Sequence, residues 1–313
     1  MKIVFIDQDY RANVLDGEGL VAPLLKYGEV VGYDDRPCSQ ETLAERGRGA
    51  EIIFFKINQP RNDVIDGWTA LKFMQFIGIG YSNYLDVPHC NSRGITVRGI
   101  GEYGSNCVAE FALGLILNAI RGISLADRRM KDKIWTLDGM LGRELASSTV
   151  GVIGTGAVGA LVARKVSLLG ARTLACDIYK NRELEEKYGV GYADIETVMR
   201  EADVVSVHLK YTPETEGLIS GKLLGLMKRG SYFINTSRAQ IVDYAALEAM
   251  LRDGGIAGAA IDVHYGEPPA DWGLAHLENV IATPHMGYYT EAANTNMLRL
   301  AVESVLEYLR TRG

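Results

Sequence analysis

The sequence predicts an α/β protein made of two doubly wound parallel-sheet domains, one inserted into the other. Three observations support this fold class. Short apolar runs alternate with helical stretches from residue 1 to about 98, and the same alternation resumes between about 100 and 286. One long amphipathic helix, about 291 to 309, follows the last strand. Because no strand remains to pair with that helix, we expect it to pack on the first domain, which then contains both ends of the chain.

The composition limits the class of protein. The 313 residues, 47% of them hydrophobic, suffice for about two domains. A net charge of −6 argues against nucleic acid or an anionic membrane as the main partner, and no apolar run approaches the roughly 20 residues of a membrane span. The apolar segment 1–7 predicts a first strand rather than a signal peptide. Four cysteines without C-x-x-C spacing indicate reduced thiols of a cytoplasmic protein and no metal site.

The first domain is predicted from alternating apolar and helical segments. Strands are expected at 3–6, 30–33, 52–56, 76–79 and 95–98, with helices at 20–27, 40–46 and 68–72 between them. This alternation predicts a parallel sheet with crossover helices, and the domain has no glycine fingerprint of its own.

The segment that follows changes character. Asn106 is a candidate N-cap for an apolar helix that continues to residue 120 and that we expect to connect the domains. Residues 123–145 are more polar, with Trp135 isolated among charges. They form either a projecting arm or a surface helix and loop, and the sequence favours neither.

The second domain repeats the strand–helix alternation. Its predicted strands are 151–153, 172–176, 204–208, 232–235, 257–263 and 280–283, and its predicted helices are 158–169, 183–188, 195–200, 221–227 and 244–252.

The first turn of this domain carries three glycines, Gly154, Gly156 and Gly159, spaced G-x-G-x-x-G between a strand and a helix. The first glycine permits a tight turn, the second lets the backbone approach a pyrophosphate, and the third lets helix and strand pack closely. The helix N-terminus offers unpaired N–H groups to phosphates. Asp177 ends the next strand, eighteen residues after Gly159, where its carboxylate can accept ribose hydroxyls. The pattern predicts a dinucleotide site, and the acid favours NAD over NADP. Lys180 and Arg182 leave use of both nucleotides open.

Three polar residues each follow a strand of the same sheet. Arg238 follows the strand at 232–235, Glu267 the strand at 257–263 and His285 the strand at 280–283. Hydride transfer to a 2-oxo acid needs a cationic fork for the carboxylate, which arginine supplies. It also needs a proton donor for the carbonyl oxygen, which histidine supplies, and a carboxylate that favours the imidazolium.

Each of these residues alone is compatible with a surface or turn position, and their joint occurrence after three strands favours catalysis. His208 and His264 compete with His285 for the role of proton donor, because His208 also follows a strand. His89 and His276 are typical of loop or surface histidines.

At these residues the chain resembles the D-isomer-specific 2-hydroxyacid dehydrogenases. That superfamily includes D-lactate, D-glycerate and 3-phosphoglycerate dehydrogenases, as well as formate and phosphite dehydrogenases. The matching segments are 78–86, 103–110, 154–159 with Asp177, 234–238, 262–268 and 283–287.

The resemblance implies a Rossmann cofactor domain over residues 100–287, inserted in a flavodoxin-like substrate domain of residues 1–99 plus 288–313. It assigns Arg238 to the substrate carboxylate and carbonyl, Glu267 to the support of His285, and His285 to acid–base catalysis. It places the backbone of Ile79 and Gly80 at the substrate carboxylate and Tyr103 beside the substrate.

The resemblance also implies the cofactor contacts and the assembly. NAD is the implied cofactor, and a homodimer formed through the cofactor domain is the implied assembly, which suits an arm at 123–145. The residues that would contact NAD are Gly154, Thr155, Gly156, Ala157, Val158, Asp177, His208, Thr236, Asp262 and, on the nicotinamide side, Arg238 and His285.

The chain departs from the family pattern at four places. Lys210 stands where a proline usually lines the adenine side, Ala239 replaces a glycine after the arginine, and Ser82 replaces an aspartate. Tyr288 and Tyr289 replace small residues after His285, which indicates either a narrowed, aromatic substrate pocket or packing between domains.

These observations predict a cytoplasmic, NAD-dependent oxidoreductase that reduces a 2-oxo acid to a D-2-hydroxy acid, or runs the reverse. In reduction, NADH gives the hydride and His285 the proton. Two alternatives remain. One is an NAD(H)-sensing regulatory protein of the same fold. The other is a dehydrogenase of another small acid, such as formate, phosphite or a phosphonate.

Overall fold

The computed structural model describes residues 1–34 and 38–311 and divides into two compact units. Unit 1 comprises Met1–Gly104 and Tyr289–Gly313, and unit 2 comprises Ser105–Tyr288. Residues 312 and 313, the last two of the predicted substrate domain, lie outside the described residues.

The elements of the described chain alternate between strands and helices. The strands are β1 (Lys2–Phe5), β2 (Glu29–Gly32), β3 (Ile52–Phe55), β4 (Phe73–Phe76), β5 (Thr96–Arg98), β6 (Thr149–Ile153), β7 (Arg172–Cys176), β8 (Gly191–Tyr192), β9 (Val204–Val207), β10 (Tyr232–Asn235), β11 (Gly258–Ile261) and β12 (Val280–Ala282). The helices are α1 (Gly17–Leu25), α2 (Gln40–Arg46), α3 (Asn62–Gly67), α4 (Val87–Ser92), α5 (Ser105–Arg121), α6 (Ile123–Lys131), α7 (Ala157–Leu168), α8 (Arg182–Tyr188), α9 (Ile195–Glu201), α10 (Gly221–Leu224), α11 (Tyr244–Arg252) and α12 (Glu291–Arg310).

Unit 1 contains a five-stranded parallel sheet in the order β2-β1-β3-β4-β5, which is the flavodoxin-like order. Its central strands are buried on both faces because helices cover each side. Phe5 and Phe54 stack at 4.1 Å between ring centroids on neighbouring strands. Tyr308 of α12 packs on Phe73 of β4 at 4.2 Å, so the last helix forms part of this unit.

Two element predictions for unit 1 were wrong. Strand β4 ends at Phe76 rather than beginning there, and the helix predicted at 68–72 is instead α3 at Asn62–Gly67. Trp68 lies outside a helix and is 1% exposed, packed in the hydrophobic core. Apolar residues continue past Phe76, but Gly80 adopts a φ of 86° and turns the chain away from the sheet.

Unit 2 contains a seven-stranded parallel sheet in the order β12-β11-β10-β9-β6-β7-β8. Counted within the unit, this is the Rossmann order 3-2-1-4-5-6 with one additional strand. Alternate residues of β9 face opposite sides, Val204 toward the core under α5 and α7, and Val205 toward the core under α9 and α11. Both faces are thus covered, and the carboxyl ends of all seven strands meet at one edge.

Some details of unit 2 differ from the sequence prediction. The two-residue edge strand β8 was not predicted, because Gly191 and Tyr192 are too few residues for a periodic pattern. Helix α5 begins at Ser105, so Asn106 lies inside its first turn and its amide donates to Glu110 rather than capping the helix.

Within the described residues, no single helix is both long and apolar enough to span a membrane. Helices α5 and α6 meet that requirement only as a pair, across a bend of 65°.

Candidate active site

The loop between β6 and α7 gives each of its three glycines a separate steric role. Gly154 has a φ of 90°, a conformation that favours glycine. A Cβ on Gly159 would lie 1.8 Å from the carbonyl oxygen of Gly154, so only glycine lets the helix pack there. A Cβ on Gly156 would meet no atom within 4 Å. The backbone around Gly156 is therefore open to a ligand at the N-terminus of the twelve-residue helix α7.

Asp177 follows β7 beside this loop. Its Oδ2 accepts a hydrogen bond from the Thr155 backbone N–H at 2.5 Å, and its Oδ1 accepts the Tyr179 N–H at 3.0 Å. The carboxylate thus lies next to the open glycine turn, where the adenosine ribose of a dinucleotide would be bound.

The remaining predicted cofactor contacts lie at the same sheet edge. Ala157 and Val158 form the first turn of α7, and His208 directly follows β9. Thr236 directly follows β10, and its buried Oγ1 has no hydrogen-bond partner within the described part of the chain. A buried hydroxyl of this kind fits a polar ligand group. The open turn, the acid and this hydroxyl together fit NAD.

His285 and Glu267 are joined by a short hydrogen bond. His285 Nδ1 lies 2.6 Å from Glu267 Oε2. Desolvation opposes ionisation of Glu267, but the hydrogen bond and charge of His285, together with the His264 N–H, outweigh it and lower the pKa of this carboxyl. Glu267 is therefore ionised at neutral pH and orients the imidazole so that Nε2 remains available for a substrate.

Asp262 holds the backbone that carries His285. Its carboxylate is 1% exposed and accepts three hydrogen bonds, from Thr283 Oγ1 at 2.6 Å, Met286 N at 2.9 Å and Gly287 N at 2.8 Å. His285 has a φ of 52°, a strained conformation for a residue with a side chain. Asp262 therefore stabilises the turn that presents His285, a positioning role that the sequence did not indicate.

Arg238 is held by an asparagine network at the end of β10. Asn235 Nδ2 donates to the Arg238 carbonyl and to Tyr244 Oη, both at 3.1 Å, and Asn235 Oδ1 accepts the Ser237 N–H at 2.9 Å. The arginine itself donates Nη1 to the Ser237 carbonyl at 2.7 Å and is partly exposed. Since β10, β11 and β12 are parallel neighbours, Arg238, Glu267 and His285 follow adjacent strands at one edge of the sheet.

The two competing histidines differ from His285 in environment. Burial lowers the pKa of His208 to about 4, and its Nε2 lies 2.8 Å from Ser206 Oγ. A neutral imidazole of this kind is a poor proton donor at neutral pH. His264 Nε2 bonds to the Thr283 carbonyl at 2.9 Å, so its ring links the loops after β11 and β12.

The predicted substrate contacts Ile79, Gly80 and Tyr103 belong to unit 1. Ile79 and Gly80 lie in the loop after β4, and their backbone N–H groups donate no hydrogen bond within the described residues. Ile79 is 52% exposed. Two adjacent N–H groups of this kind can bind an anion. The Tyr103 carbonyl accepts a hydrogen bond from Asn296 of α12 at 3.0 Å.

An aromatic residue lies beside His285. The Tyr288 ring is edge-on to the imidazole, with centroids 6.1 Å apart and planes at 84°. A cavity of about 330 Å³ adjoins the His285–Glu267 pair and is lined in part by Pro268, Trp272 and Pro284. The surroundings of His285 are thus partly apolar.

The doubly wound sheet, the glycine turn and the His–Glu pair define an NAD(H)-dependent oxidoreductase. The model for the "D-isomer specific 2-hydroxyacid dehydrogenase, NAD binding domain" matches residues 113–287. The chain is also 32% identical over 283 residues to a glyoxylate reductase of Korarchaeum cryptofilum, covering 88% of this chain and 85% of that protein. The chain belongs to the D-isomer-specific 2-hydroxyacid dehydrogenase family, and it is an NAD-dependent enzyme.

Solved structures agree with the fold. The pyruvate reductase of Chlamydomonas reinhardtii is similar with a TM-score of 0.89 at 26% identity, covering 100% of this chain and 97% of that one. A D-lactate dehydrogenase of Aquifex aeolicus, solved with NAD and lactic acid, has a TM-score of 0.79 at 27% identity, covering 99% and 96%.

Proposed function

We propose that the enzyme reduces a 2-oxo acid to the D-2-hydroxy acid, or catalyses the reverse oxidation, with His285 as the acid–base residue. The observation that carries the proposal is the 2.6 Å contact between His285 Nδ1 and Glu267 Oε2. NADH, when bound, supplies the hydride for reduction.

The residues of unit 2 have distinct tasks in this proposal. His285 donates a proton from Nε2 to the carbonyl oxygen in reduction and takes it back in oxidation. Glu267 favours the imidazolium through its charge and fixes the ring through its hydrogen bond. Arg238 binds the carboxylate through its fork of N–H donors and polarises the carbonyl.

The remaining predicted contacts complete the proposal. The N–H groups of Ile79 and Gly80 bind the substrate carboxylate, with Tyr103 nearby. Gly154, Thr155, Gly156, Ala157 and Val158 bind the pyrophosphate, and Asp177 binds the adenosine ribose. His208, Thr236 and Asp262 complete the cofactor site.

The decisive experiment measures NADH consumption with a panel of 2-oxo acids and identifies the product enantiomer by chiral chromatography.

We expect His285→Asn to lower turnover by about 10²- to 10⁴-fold, because proton transfer in the transition state is lost. NADH binding, measured by fluorescence, should change little. Glu267→Gln should lower turnover less, because the amide still contacts the ring but the carboxylate that orients the imidazole is lost.

His276→Asn is the matched control, because His276 is an exposed histidine bonded to the Trp272 carbonyl. Turnover of His285→Asn equal to that of the native enzyme would rule out the assignment. Tight NADH binding without reduction of any acid would favour a sensor, and NAD-dependent oxidation of formate or phosphite would favour the other dehydrogenase class.

We also propose that the enzyme forms a homodimer through the segment after α6. Three large apolar side chains of this segment are almost fully exposed: Trp135 at 88%, Leu137 at 87% and Leu141 at 98%. A contiguous exposed apolar patch marks an interaction site, and we propose that these three side chains form one.

A further inference from the structure

A chain of hydrogen bonds fixes the Asp177 carboxylate from the sheet edge. The Asn181 backbone N–H donates to Tyr192 Oη at 3.0 Å. Tyr192 Oη donates to Thr155 Oγ1 at 2.9 Å, and Thr155 Oγ1 donates to Asp177 Oδ2 at 3.2 Å. Tyr192 lies in β8, the edge strand that pairs with β7, and Asp177 directly follows β7. The short strand thus places a phenol within reach of the glycine turn.

The direction in which protons are donated along this series of hydrogen bonds is fixed at both ends. A backbone N–H can only donate, and an ionised carboxylate can only accept. The Tyr192 hydroxyl must therefore direct its proton toward Thr155, and the Thr155 hydroxyl must direct its proton toward Asp177. Both hydroxyls are oriented by the protein itself, which lowers the cost of ordering Asp177 when a ligand binds.

The two oxygens of Asp177 then have different tasks. Oδ2 accepts both the Thr155 hydroxyl and the Thr155 N–H, whereas the described chain gives Oδ1 the Tyr179 N–H at 3.0 Å. Oδ1 keeps accepting capacity for a ligand hydroxyl. A phosphate in the same place would meet a carboxylate that is held still and cannot turn away.

We propose that Tyr192 is a positioning residue that, through Thr155, makes Asp177 select NADH over NADPH. The inference rests on the proposed contact of Asp177 with the adenosine ribose. NADH presents hydroxyls that donate to Oδ1, and NADPH presents a 2′-phosphate that the fixed carboxylate repels.

The test measures dissociation constants of NADH and NADPH by fluorescence, with the full chain and no acid substrate. Tyr192→Phe removes the phenol oxygen but keeps the ring, over which the Lys180 ammonium lies at 6.0 Å. Thr155→Val removes the hydroxyl at nearly constant shape. We expect each variant to weaken NADH binding about three- to tenfold, the usual effect of one hydrogen bond, and NADPH binding less. The ratio of the NADPH to the NADH constant should therefore fall, by at most that factor.

Further variants separate this role from a merely structural one. The double variant of Tyr192→Phe and Thr155→Val should lower the ratio no further than either single change, because the two hydroxyls act in series. Thr155→Ser keeps a hydroxyl at this position, so it should have the native ratio of the NADPH to the NADH dissociation constant. Tyr188→Phe is the control, because Tyr188 is a half-buried tyrosine of α8 whose ring contacts Arg164, and its ratio should stay unchanged.

Two outcomes would overturn the inference. One is equal weakening of both nucleotides by Tyr192→Phe, which would leave the tyrosine with a structural role only. The other is a fall of the ratio in Asp177→Asn but not in Tyr192→Phe or Thr155→Val. An unchanged ratio in Asp177→Asn would instead reject the ribose contact itself. Because no acid is present, none of these results depends on the proposed reaction.

Discussion

At the scale of single residues, two histidines at the same sheet edge have opposite environments. His285 is partly exposed, and its Nδ1 shares a hydrogen bond with the Glu267 carboxylate. His208 faces the Ser206 hydroxyl, and burial stabilises its neutral form. Position after a strand made both of them candidates, and the neighbouring side chain distinguishes them.

The low pKa of His208 predicts a pH-dependent stability. In the unfolded chain this histidine takes up a proton below about pH 6.5, whereas in the folded protein it does so only near pH 4. His208 is thus neutral in both states above pH 6.5. Stability is lost as the pH falls from about 6.5 toward 4, because only the unfolded chain gains the proton there. We expect the free energy of unfolding to fall by about 1–2 kcal/mol between about pH 6.5 and pH 5.

Urea denaturation of the nucleotide-free protein at several pH values measures this effect. His208→Asn should reduce the pH dependence of the free energy of unfolding, because an asparagine amide can bond Ser206 but does not titrate. His276→Asn, at an exposed position, should leave it in place. An equally steep loss of stability in His208→Asn would contradict the assignment of this pH dependence.

At the scale of elements, one phenol connects two loops of the site. Tyr244, the first residue of α11, accepts a hydrogen bond from Asn235 Nδ2 at 3.1 Å and donates one to the Val263 carbonyl at 3.0 Å. Asn235 also holds the Arg238 carbonyl, and Val263 directly precedes the His264 loop. Burial raises the pKa of Tyr244, so its hydroxyl keeps the proton that Val263 requires. Helix α11 therefore fixes the ends of β10 and β11 relative to one another.

Tyr244→Phe should destabilise the protein by about 1–2 kcal/mol, because the Val263 carbonyl loses its donor and the Asn235 amide loses one of its two acceptors. With a reducible acid, we expect KM to rise several-fold as the Arg238 loop loosens, while the NADH dissociation constant changes little. Thermal unfolding and steady-state kinetics measure the two effects. Tyr265→Phe is the control, since Tyr265 is 50% exposed and bonds the Val242 carbonyl. Identical KM values in the two variants would contradict this role.

At the scale of the whole molecule, the sequence predicted the layers well because their signals are local. The glycine turn and the alternation of buried strands with helices depend on residues close in the chain. The predicted position of β4 was wrong because a continuous apolar run does not mark where a buried strand ends. The polar networks of Tyr192, Asp262 and Tyr244 join residues that lie between nine and thirty-seven positions apart, and no spacing rule connects them.

The exposed apolar segment after α6 bears on the assembly of the whole molecule. Leu141 is 98% exposed, and burying a leucine at an interface contributes about 1.5–3 kcal/mol. We expect the native protein to sediment as a dimer and Leu141→Glu to weaken the dimer by about tenfold or more, because the variant also buries a charge. Analytical ultracentrifugation over a range of protein concentrations measures the dissociation constant. Leu168→Glu, on the surface of α7 where the leucine is 66% exposed, is the control and should remain dimeric. A native protein that stays monomeric at all concentrations would contradict the proposed dimer. Equal dimer dissociation constants for the two variants would place the interface elsewhere.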